Sequence, residues 1–383
     1  MSIVYNNKQI QHAYYGETPI HQIYLGDQLK WADAGCLFSC GLNTDGQLGT
    51  GDKTQRTTPV KVGVASDWVQ VAGGVYHSLA INSSGELYAF GRNNYGQLGL
   101  GDTTDRDIPT KVGAATNWTN IAAGELHSLA INSSGELYAF GRNNYGQLGL
   151  GDTTDRNTPT KVGSATDWVY AVCGARHSLA INSSGELYAC GRNNYGQLGL
   201  GDTTDRNTPT KVGSSTDWAR VVCGEYHSLA INSSGGLYVF GQNDSGQLGV
   251  GDKTQRTTPV KVGVASDWVQ VAGGGYHSLA INSSGELYAC GHNNYGQLGV
   301  GDKTQRTTPV KVGVASDWVQ VAAGRYHSLA INSSGELYAC GRNNYGQLGL
   351  GDIIDRDTPN LVAQYQMFFS ISAGCQHSLL IKL

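Results

Sequence analysis

One tetrapeptide, Gly-Gln-Leu-Gly, recurs seven times in this chain of 383 residues, and its spacing never departs from 50 residues. A unit of this size cannot bury its own apolar face, so the units must stack on one another in an open solenoid or a closed ring. The chain is therefore one array of repeats, and the length-based expectation of two or three domains does not apply. The seven copies begin at Gly46, Gly96, Gly146, Gly196, Gly246, Gly296 and Gly346.

Each repeat contains alternating apolar runs that predict short β-strands. In the first complete copy, His77–Ile81 and Glu86–Phe90 flank Asn82–Gly85, which predicts a β-hairpin with glycine at its turn. A third run, Trp68–Ala72, precedes the hairpin, and a short fourth run, Val60–Gly63, follows a proline. Helical periodicity is missing throughout. Four short strands and a glycine-rich connector in every repeat predict the blade of a β-propeller.

The first repeat lacks its beginning and the last repeat lacks its end. Cys36–Gly41 matches Glu86–Gly91 of the next copy, whereas the C-terminal copy stops shortly after His377–Ile381. The two fragments add up to one blade, and their pairing would close the ring and remove two exposed sheet edges. We therefore predict an all-β fold, a seven-bladed propeller over residues 36–383, in which the N-terminal strand completes the C-terminal blade.

Three recurring phrases resemble the repeats of the regulator of chromosome condensation family, over about residues 36 to 383. The resemblance implies a seven-bladed β-propeller. Members of this family act in guanine-nucleotide exchange on a small GTPase, in ultraviolet sensing in plants, as substrate-binding parts of ubiquitin ligases and as a secreted bacterial inhibitor of β-lactamase. The fold does not choose among these functions. The phrases are Ala-Gly-x-x-His-Ser-Leu-Ala-Ile, Gly-Glu-Leu-Tyr-Ala-Phe-Gly-Arg-Asn-Asn-Tyr-Gly-Gln-Leu-Gly-Leu-Gly-Asp and Thr-Pro-x-Lys-Val.

Composition argues against several functional classes. The net charge is −4 and the basic residues are spread evenly over the repeats, which argues against nucleic-acid binding. No apolar run is long enough to span a membrane, and the N-terminus lacks the pattern of an export signal. Reduced thiols and the missing signal favour synthesis in a cytoplasm.

The cysteines are distributed as core residues rather than as a redox or metal site. Four of them occupy the position that phenylalanine holds in other repeats, and no Cys-x-x-Cys pair occurs. Cys173 and Cys223 likewise replace small residues. We predict no bound metal and no cofactor. The four that replace phenylalanine are Cys40, Cys190, Cys290 and Cys340.

Each repeat also carries one histidine and one large aromatic residue at fixed positions. The seven histidines, from His77 to His377, are too far apart around a ring to converge on one metal ion, and we predict that each bonds backbone at the start of its strand. The tryptophans, from Trp68 to Trp318 with Phe368 as the seventh member, predict the core between blades. No nucleophile with a base and an orienting acid stands out, so we predict no catalytic residue and no enzymatic activity.

Positions at which the near-identical copies differ indicate where function could reside. They cluster in the two residues before each histidine, in a segment that leads into a propeller strand and so predicts a circular patch around the channel mouth. Tyrosine and arginine are favoured in protein-binding hot spots. We predict a partner-binding rim, with drift of exposed loops as the alternative. The pairs are Val75-Tyr76, Glu125-Leu126, Ala175-Arg176, Glu225-Tyr226, Gly275-Tyr276, Arg325-Tyr326 and Cys375-Gln376.

The family resemblance implies the same segment, because members that act on the small GTPase use loops of this face in which acidic residues are prominent. In this chain the acidic members of the pairs are Glu125 and Glu225. No insertion breaks the 50-residue spacing. The small number of acidic residues and the lack of an inserted wedge both depart from the family members that act on the GTPase, and both argue against exchange activity.

Residues 1–35 lie outside the repeats and contain too little material to fold alone. Two related phrases, Ala13–Ile20 and Ile23–Trp31, each predict strands with a turn at Gly16 or Gly26. The second phrase resembles short N-terminal segments of bacteriophage virion proteins. We predict a β-rich anchor or docking segment, whose contact residues are Tyr14, Tyr15, Ile23, Tyr24, Leu25 and Trp31.

Three functional hypotheses follow. The leading one is a non-enzymatic virion protein, made in the host cytoplasm, that is anchored by its N-terminus to other virion subunits and contacts a host surface molecule through the rim. The second is a cytoplasmic regulator that resembles the exchange factors of small GTPases. The third is a propeller that inhibits a secreted enzyme, and the missing export signal counts against it.

Overall fold

The computed structural model describes residues 34–362 and 367–383 in full, together with the backbone of four short strands in the N-terminal segment. No helix occurs in this described part of the chain. The four N-terminal strands form two antiparallel hairpins, in which β1 pairs with β2 and β3 with β4. Their bounds are β1 (Ala13–Tyr15), β2 (Thr18–Ile20), β3 (Gln22–Leu25) and β4 (Gln28–Ala32).

The side chains predicted to anchor this segment lie outside the described residues, as do the predicted turns at Gly16 and Gly26. The anchoring role and the division at residue 35 therefore stay predictions. The side chains concerned are those of Tyr14, Tyr15, Ile23, Tyr24, Leu25 and Trp31.

All other strands belong to seven four-stranded antiparallel sheets, which confirms the predicted seven-bladed propeller. The first two strands after the N-terminal segment are β5 (Cys36–Gly41) and β6 (Arg56–Lys61). Six blades that are continuous in sequence follow. Blade 1 contains β7 (Trp68–Gly73), β8 (His77–Asn82), β9 (Leu87–Gly91) and β10 (Arg106–Lys111); blade 2 contains β11 (Trp118–Ala123), β12 (His127–Asn132), β13 (Leu137–Gly141) and β14 (Arg156–Lys161); blade 3 contains β15 (Trp168–Cys173), β16 (His177–Asn182), β17 (Leu187–Gly191) and β18 (Arg206–Lys211).

The second half of the ring repeats the same order. Blade 4 contains β19 (Trp218–Cys223), β20 (His227–Asn232), β21 (Leu237–Gly241) and β22 (Arg256–Lys261); blade 5 contains β23 (Trp268–Gly273), β24 (His277–Asn282), β25 (Leu287–Gly291) and β26 (Arg306–Lys311); blade 6 contains β27 (Trp318–Ala323), β28 (His327–Asn332), β29 (Leu337–Gly341) and β30 (Arg356–Leu361). The last strands of the chain are β31 (Phe368–Ala373) and β32 (His377–Lys382).

Blade 7 combines both ends of the propeller in the order β31-β32-β5-β6. Antiparallel pairing of β32 with β5 runs from His377 opposite Gly41 to Lys382 opposite Cys36. This arrangement is the predicted closure. We call the face at which the histidine-bearing strands begin the rim face, and the opposite face, which carries the Asn-Ser-Ser-Gly turns, the base face. β5 starts and β32 ends at the base face, so the N-terminal segment joins the propeller there.

The outermost strand of each blade differs from its prediction. The sequence predicts a short strand at Val60–Gly63, whereas β6 starts at Arg56 and includes Pro59. Its pairing with β5 shifts register between Ser39 and Gly41. An edge strand with an irregular register tolerates proline, because the ladder requires no N–H at that position.

The apolar core lies between blades rather than within them. One cluster joins Leu79 and Leu87 of blade 1 to Trp118 and Phe140 of blade 2, and each side chain is at most 7% exposed. Each tryptophan also packs edge-on against a tyrosine of its own blade, as Trp68 does against Tyr88 with ring centroids 5.0 Å apart. The prediction that the tryptophans form the inter-blade core is confirmed. Burial of one such large side chain stabilises the fold by roughly 2 kcal/mol.

The glycine-rich connector of each blade is held by hydrogen bonds within itself. Asn93 Nδ2 donates to the backbone oxygen of Asp102 at 3.1 Å, and Arg106 Nη2 donates to Asp102 Oδ2 at 2.6 Å. The other carboxylate oxygen accepts from a backbone N–H two residues further on. Gly99 has a φ of +71°, and a Cβ there would lie 2.9 Å from the Phe140 ring of the next blade. The aspartates therefore cap the turns of the connectors.

One blade lacks a contact that most others make, which predicts a stabilising substitution. In four blades a glutamate at the hairpin turn forms an ion pair with a lysine of the outer strand, but Gly236 replaces it in blade 4. We expect Gly236→Glu to raise the free energy of unfolding by about 1 kcal/mol, through an ion pair with Lys261 and lower freedom of the unfolded chain. Urea denaturation measures this change in the free energy of unfolding. Gly236→Ala, which adds only the backbone restriction, should give roughly half of the gain, and a destabilised glutamate variant would contradict the expectation.

Candidate partner-binding site

The predicted pairs lie at the rim face, in the turns between the first and second strand of each blade. Their first members surround the mouth of the central channel, while several second members contact aromatic or cationic side chains of the neighbouring connectors. Two of the predicted contact residues are buried and cannot contact a partner: Leu126 is 7% exposed and Ala175 is 6% exposed. The first members are Val75, Glu125, Ala175, Glu225, Gly275, Arg325 and Cys375, and the second members are Tyr76, Leu126, Arg176, Tyr226, Tyr276, Tyr326 and Gln376.

A ring of backbone hydrogen bonds fixes these turns. The amide of Val75 donates to the carbonyl oxygen of Gly124 in the next blade at 3.1 Å, and an equivalent bond of 3.1 to 3.2 Å joins every successive pair of blades around the ring. The glycine before each turn is required by close packing, since a Cβ on Gly174 would lie 2.1 Å from Cε1 of His177. The rim is therefore a rigid frame whose side chains vary.

The seven histidines form a second, buried ring beneath the rim. His77 Nε2 lies 2.8 Å from Ser128 Oγ of the next blade, and the equivalent distances around the ring run from 2.8 to 3.1 Å. The prediction that these side chains bond backbone is wrong, because the partner is a serine hydroxyl. The serine in turn donates to a backbone carbonyl, as Ser128 does to Gln97 at 2.8 Å. Each imidazole Nε2–H therefore donates to the serine.

These histidine–serine pairs resemble a catalytic dyad in composition but not in chemistry. His77 and Ser128 have no exposed surface. The serine hydroxyl donates its hydrogen bond to a backbone carbonyl and accepts one from the imidazole, so no base is in place to activate its oxygen. Burial lowers the pKa of the ring histidines to about 3 or about 4. The ring therefore joins neighbouring blades and stays uncharged at neutral pH.

Two ion pairs engage the acidic residues of the rim. Arg176 Nε donates to Glu125 Oε2 at 2.8 Å, and Arg325 Nε lies 3.1 Å from Glu225 Oε1. The second pair joins blade 6 to blade 4 and passes over Gly275 of blade 5, where a Cβ would lie 2.8 Å from Cγ of Arg325. Burial raises the pKa of Glu225 above its usual value, and the charge of Arg325 offsets only part of this rise. Both predicted acidic contacts are thus bound to arginines of the same rim.

Aromatic side chains concentrate in one sector of the rim, over blades 5 and 6. The rings of Tyr276 and Tyr326 are stacked with centroids 5.8 Å apart and an interplanar angle of 18°. His292 and Tyr295 lie against Tyr326 at 5.7 Å and 5.2 Å, and the guanidinium of Arg342 lies 4.8 Å from the Tyr295 centroid. We call these five residues, with Arg325, the aromatic sector.

Comparison of the copies did not find every member of this sector. Most repeats carry a tyrosine at the position of Tyr295 and an arginine at the position of Arg342, so sequence variation could not single out these two residues. The usable signal was the position of His292, which is arginine or glutamine in most other repeats. A polar residue that varies three positions before a tyrosine found in most repeats marks a contact between connectors of adjacent blades.

The cysteines occupy the predicted core positions. Cys40, Cys190, Cys290 and Cys340 are buried free thiols, and burial raises their pKa to about 12. In the part of the chain that the structure describes, no cluster of three or more metal-ligating side chains occurs. These thiols therefore pack against the neighbouring blade in place of a phenylalanine ring.

The closed ring, the 50-residue blade and the shared closing blade define a tandem-repeat β-propeller. The sequence profile of the regulator of chromosome condensation (RCC1) repeat matches residues 34–81, 84–131, 134–181, 184–231, 234–281, 284–331 and 334–381. This chain belongs to the RCC1 repeat family. No curated protein sequence matches it at a significant level. No helix of the described residues is long and apolar enough to cross a membrane.

Solved structures share the fold at low sequence identity. Human WBSCR16 is 22% identical, with 91% of this chain and 100% of that chain covered and a TM-score of 0.82. Prp20p from Saccharomyces cerevisiae, described with its binding to Gsp1p and histones, is 24% identical, with 95% and 96% covered and a TM-score of 0.83. The same yeast protein bound to Kap60 is 24% identical, with 100% and 97% covered and a TM-score of 0.82. At this identity the likeness establishes the fold alone.

Proposed function

We propose that this chain is a non-enzymatic protein-binding propeller of the intracellular regulator kind, and that its partner binds the rim face at the aromatic sector. The observation that carries the proposal is the stacked pair Tyr276 and Tyr326 with Arg325 beside it, at the positions where the repeats differ most. Rigid aromatic rings supply large contact areas at a low cost in conformational entropy, and arginine is enriched with tyrosine in binding hot spots.

The relatives support this alternative better than the virion hypothesis. The yeast relative Prp20p is described with its binding to Gsp1p, which makes a small GTPase of that type the first partner to test. The acidic pair Glu125 and Glu225 is bound to rim arginines, so we expect the aromatic sector rather than carboxylates to contact the partner. We therefore propose binding as the primary activity and treat acceleration of nucleotide release as a separate question.

A virion role stays a second candidate because of where the N-terminal segment joins the propeller. Gly35 pairs with Trp68 at the base face, with N–H···O distances of 2.9 and 3.1 Å. A segment anchored to another subunit from that face would leave the whole rim free to contact a host molecule. Mass spectrometry of purified particles would find the chain as a stoichiometric component if this candidate holds.

We expect the double variant Tyr276→Gln, Tyr326→Gln to weaken partner binding by about 30-fold, the loss typical of a hot spot worth about 2 kcal/mol. Glutamine already occupies the equivalent position at residue 376, so the backbone accepts it. Biolayer interferometry with Gsp1p measures the affinity, and release of a fluorescent guanine nucleotide from the same GTPase measures exchange.

The matched control is Val314→Ser on the base face, where the equivalent residue of blade 3 is Ser164. This control should bind as tightly as the parent protein. If the double variant binds as tightly as the parent protein, the aromatic sector of the rim is not the binding site. If Gsp1p does not bind, affinity capture from a cell extract with the parent, the double variant and the control decides whether any protein depends on the aromatic sector, and a partner retained by the double variant would refute it.

A further inference from the structure

The central channel carries a ring of polar residues that the rim does not use. The channel has a volume of about 440 Å³ and is lined by the innermost strand of every blade. Two residues after the tryptophan that begins each inner strand, or after Phe368 in blade 7, the side chain is polar in all seven blades and its identity varies. We call this ring the channel girdle; its members are Gln70, Asn120, Tyr170, Arg220, Gln270, Gln320 and Ser370.

The channel is narrowed at its rim-face mouth. Arg325 extends over the mouth to Glu225, two blades away, and the space that the first members of the pairs surround is about 80 Å³. The girdle lies in the half of the channel toward the base face, because its residues are the third of six in the inner strands that begin there. A ligand of the girdle would therefore enter at the base face.

Arg220 is the girdle residue without a counterpart. Among the arginines of the described chain, each of the others forms an ion pair or lies over a tyrosine ring, whereas Arg220 has no counter-ion, hydrogen bond or ring contact. The amide oxygens of Gln70 and Gln320 are buried in the same channel without a hydrogen-bond partner. The girdle thus holds one unpaired cation and unsatisfied acceptors.

A groove on the base face continues from the girdle. It has a volume of about 550 Å³, and Arg220 and Gln270 line it as well as the channel. Its apolar surface includes Val269 and Val319, which are 43% and 48% exposed. Asp317 lines the same groove but forms no ion pair with Arg220. A cationic end beside an apolar surface matches a ligand with one anionic end and one apolar part.

We propose that Arg220 binds the carboxylate of a ligand whose apolar part packs on Val269 and Val319. Arg220 is exposed, and its planar guanidinium can donate two parallel hydrogen bonds to a carboxylate. Gln270 lines the same space, and its amide can accept a hydrogen bond from an N–H of the ligand. The carboxylate belongs either to a small acid or to the C-terminus of a peptide, and both present the same chemistry to the arginine.

Isothermal titration with N-acetyl-leucine and N-acetyl-leucinamide tests the proposal on the full chain. We expect the acid to bind and the neutral amide to bind at least tenfold more weakly. Arg220→Gln should weaken binding of the acid at least tenfold, and the fold accepts this change because three girdle positions are already glutamine. Arg192→Gln on the rim face is the matched control, since it removes the same charge at a position that is glutamine in blade 4 as Gln242.

An N-acetylated tripeptide that ends in leucine, with its carboxylate free or amidated, separates the two sources. Tighter binding of the tripeptide acid than of N-acetyl-leucine assigns the site to a peptide C-terminus, and equal binding assigns it to a small acid. The proposal is overturned if no carboxylate binds at millimolar concentration, if acid and amide bind equally, or if Arg220→Gln binds the acid as well as Arg192→Gln does.

Discussion

Lowering the pH from 7 to 5 is expected to unfold this propeller, because the seven ring histidines are buried in their neutral form. Their pKa values in the folded chain are about 3 or about 4, against about 6.5 in an unfolded chain. Below pH 6.5 the unfolded chain binds protons that the folded chain does not, so stability is lost as the pH falls. The loss is roughly 2 kcal/mol for each histidine at pH 5, and on the order of 10 kcal/mol for the ring. That sum matches the whole stability of a typical domain.

Urea denaturation between pH 7.5 and 5 measures the effect, since its pH dependence gives the number of protons taken up on unfolding. We expect close to seven for the parent protein at pH 5, and about six for His177→Gln. The carboxylates whose pKa the fold lowers add at most about one further proton at pH 5, because their pKa values lie near 4 in an unfolded chain, and they add it equally to both proteins. A free energy of unfolding that stays constant from pH 7.5 to 5 would contradict the burial of neutral histidines.

Removal of the last strand is expected to abolish cooperative folding. A chain that stops at Gln376 loses β32, and with it Leu379, Leu380 and Ile381, which are at most 1% exposed. The lost burial alone amounts to roughly 6 kcal/mol, and two strand edges become unpaired. The bond between His377 and Ser78 is also lost. We expect a chain that aggregates or unfolds without a sharp thermal transition, as circular dichroism and light scattering would record.

The matched control for this truncation stops at Lys382 and removes Leu383, which is 42% exposed and donates one backbone hydrogen bond to Met367. Its thermal midpoint should stay within a few degrees of that of the parent protein. A cooperative transition in the longer truncation would show that the six continuous blades form a stable open array without closure.

Sequence repetition was sufficient to predict the propeller, the number of blades and the shared blade 7. The reason is physical: a repeat that cannot bury its own face has few ways to stack, and complementary half-blades at the two ends leave closure as the arrangement without open edges. The tryptophan positions followed from the same logic. Strand bounds were less accurate at the outer edge, where an irregular register allows Pro59 inside a strand.

Contacts between blades could not be predicted, because each depends on a side chain that reaches a different copy of the repeat. The partner of His77 is Ser128, a contact that spans 51 residues, and the sequence offers both a local backbone and a distant hydroxyl. Arg325 skips one blade to reach Glu225, which requires glycine at position 275. The unpaired state of Arg220 likewise becomes visible when the surrounding strands are in place.

The seam between β5 and β32 makes the ring mechanically anisotropic. Lys382 and Cys36 lie opposite each other where the two strands leave the base face, and His377 and Gly41 lie opposite each other at the rim. A force that pulls the two chain ends apart breaks the seam one pair at a time, as in unzipping. A force between the N-terminal segment and a partner held at the rim instead acts along β5 and loads all hydrogen bonds of the seam together in shear. A propeller held by its N-terminus therefore resists tension from the rim and opens under tension between its own ends.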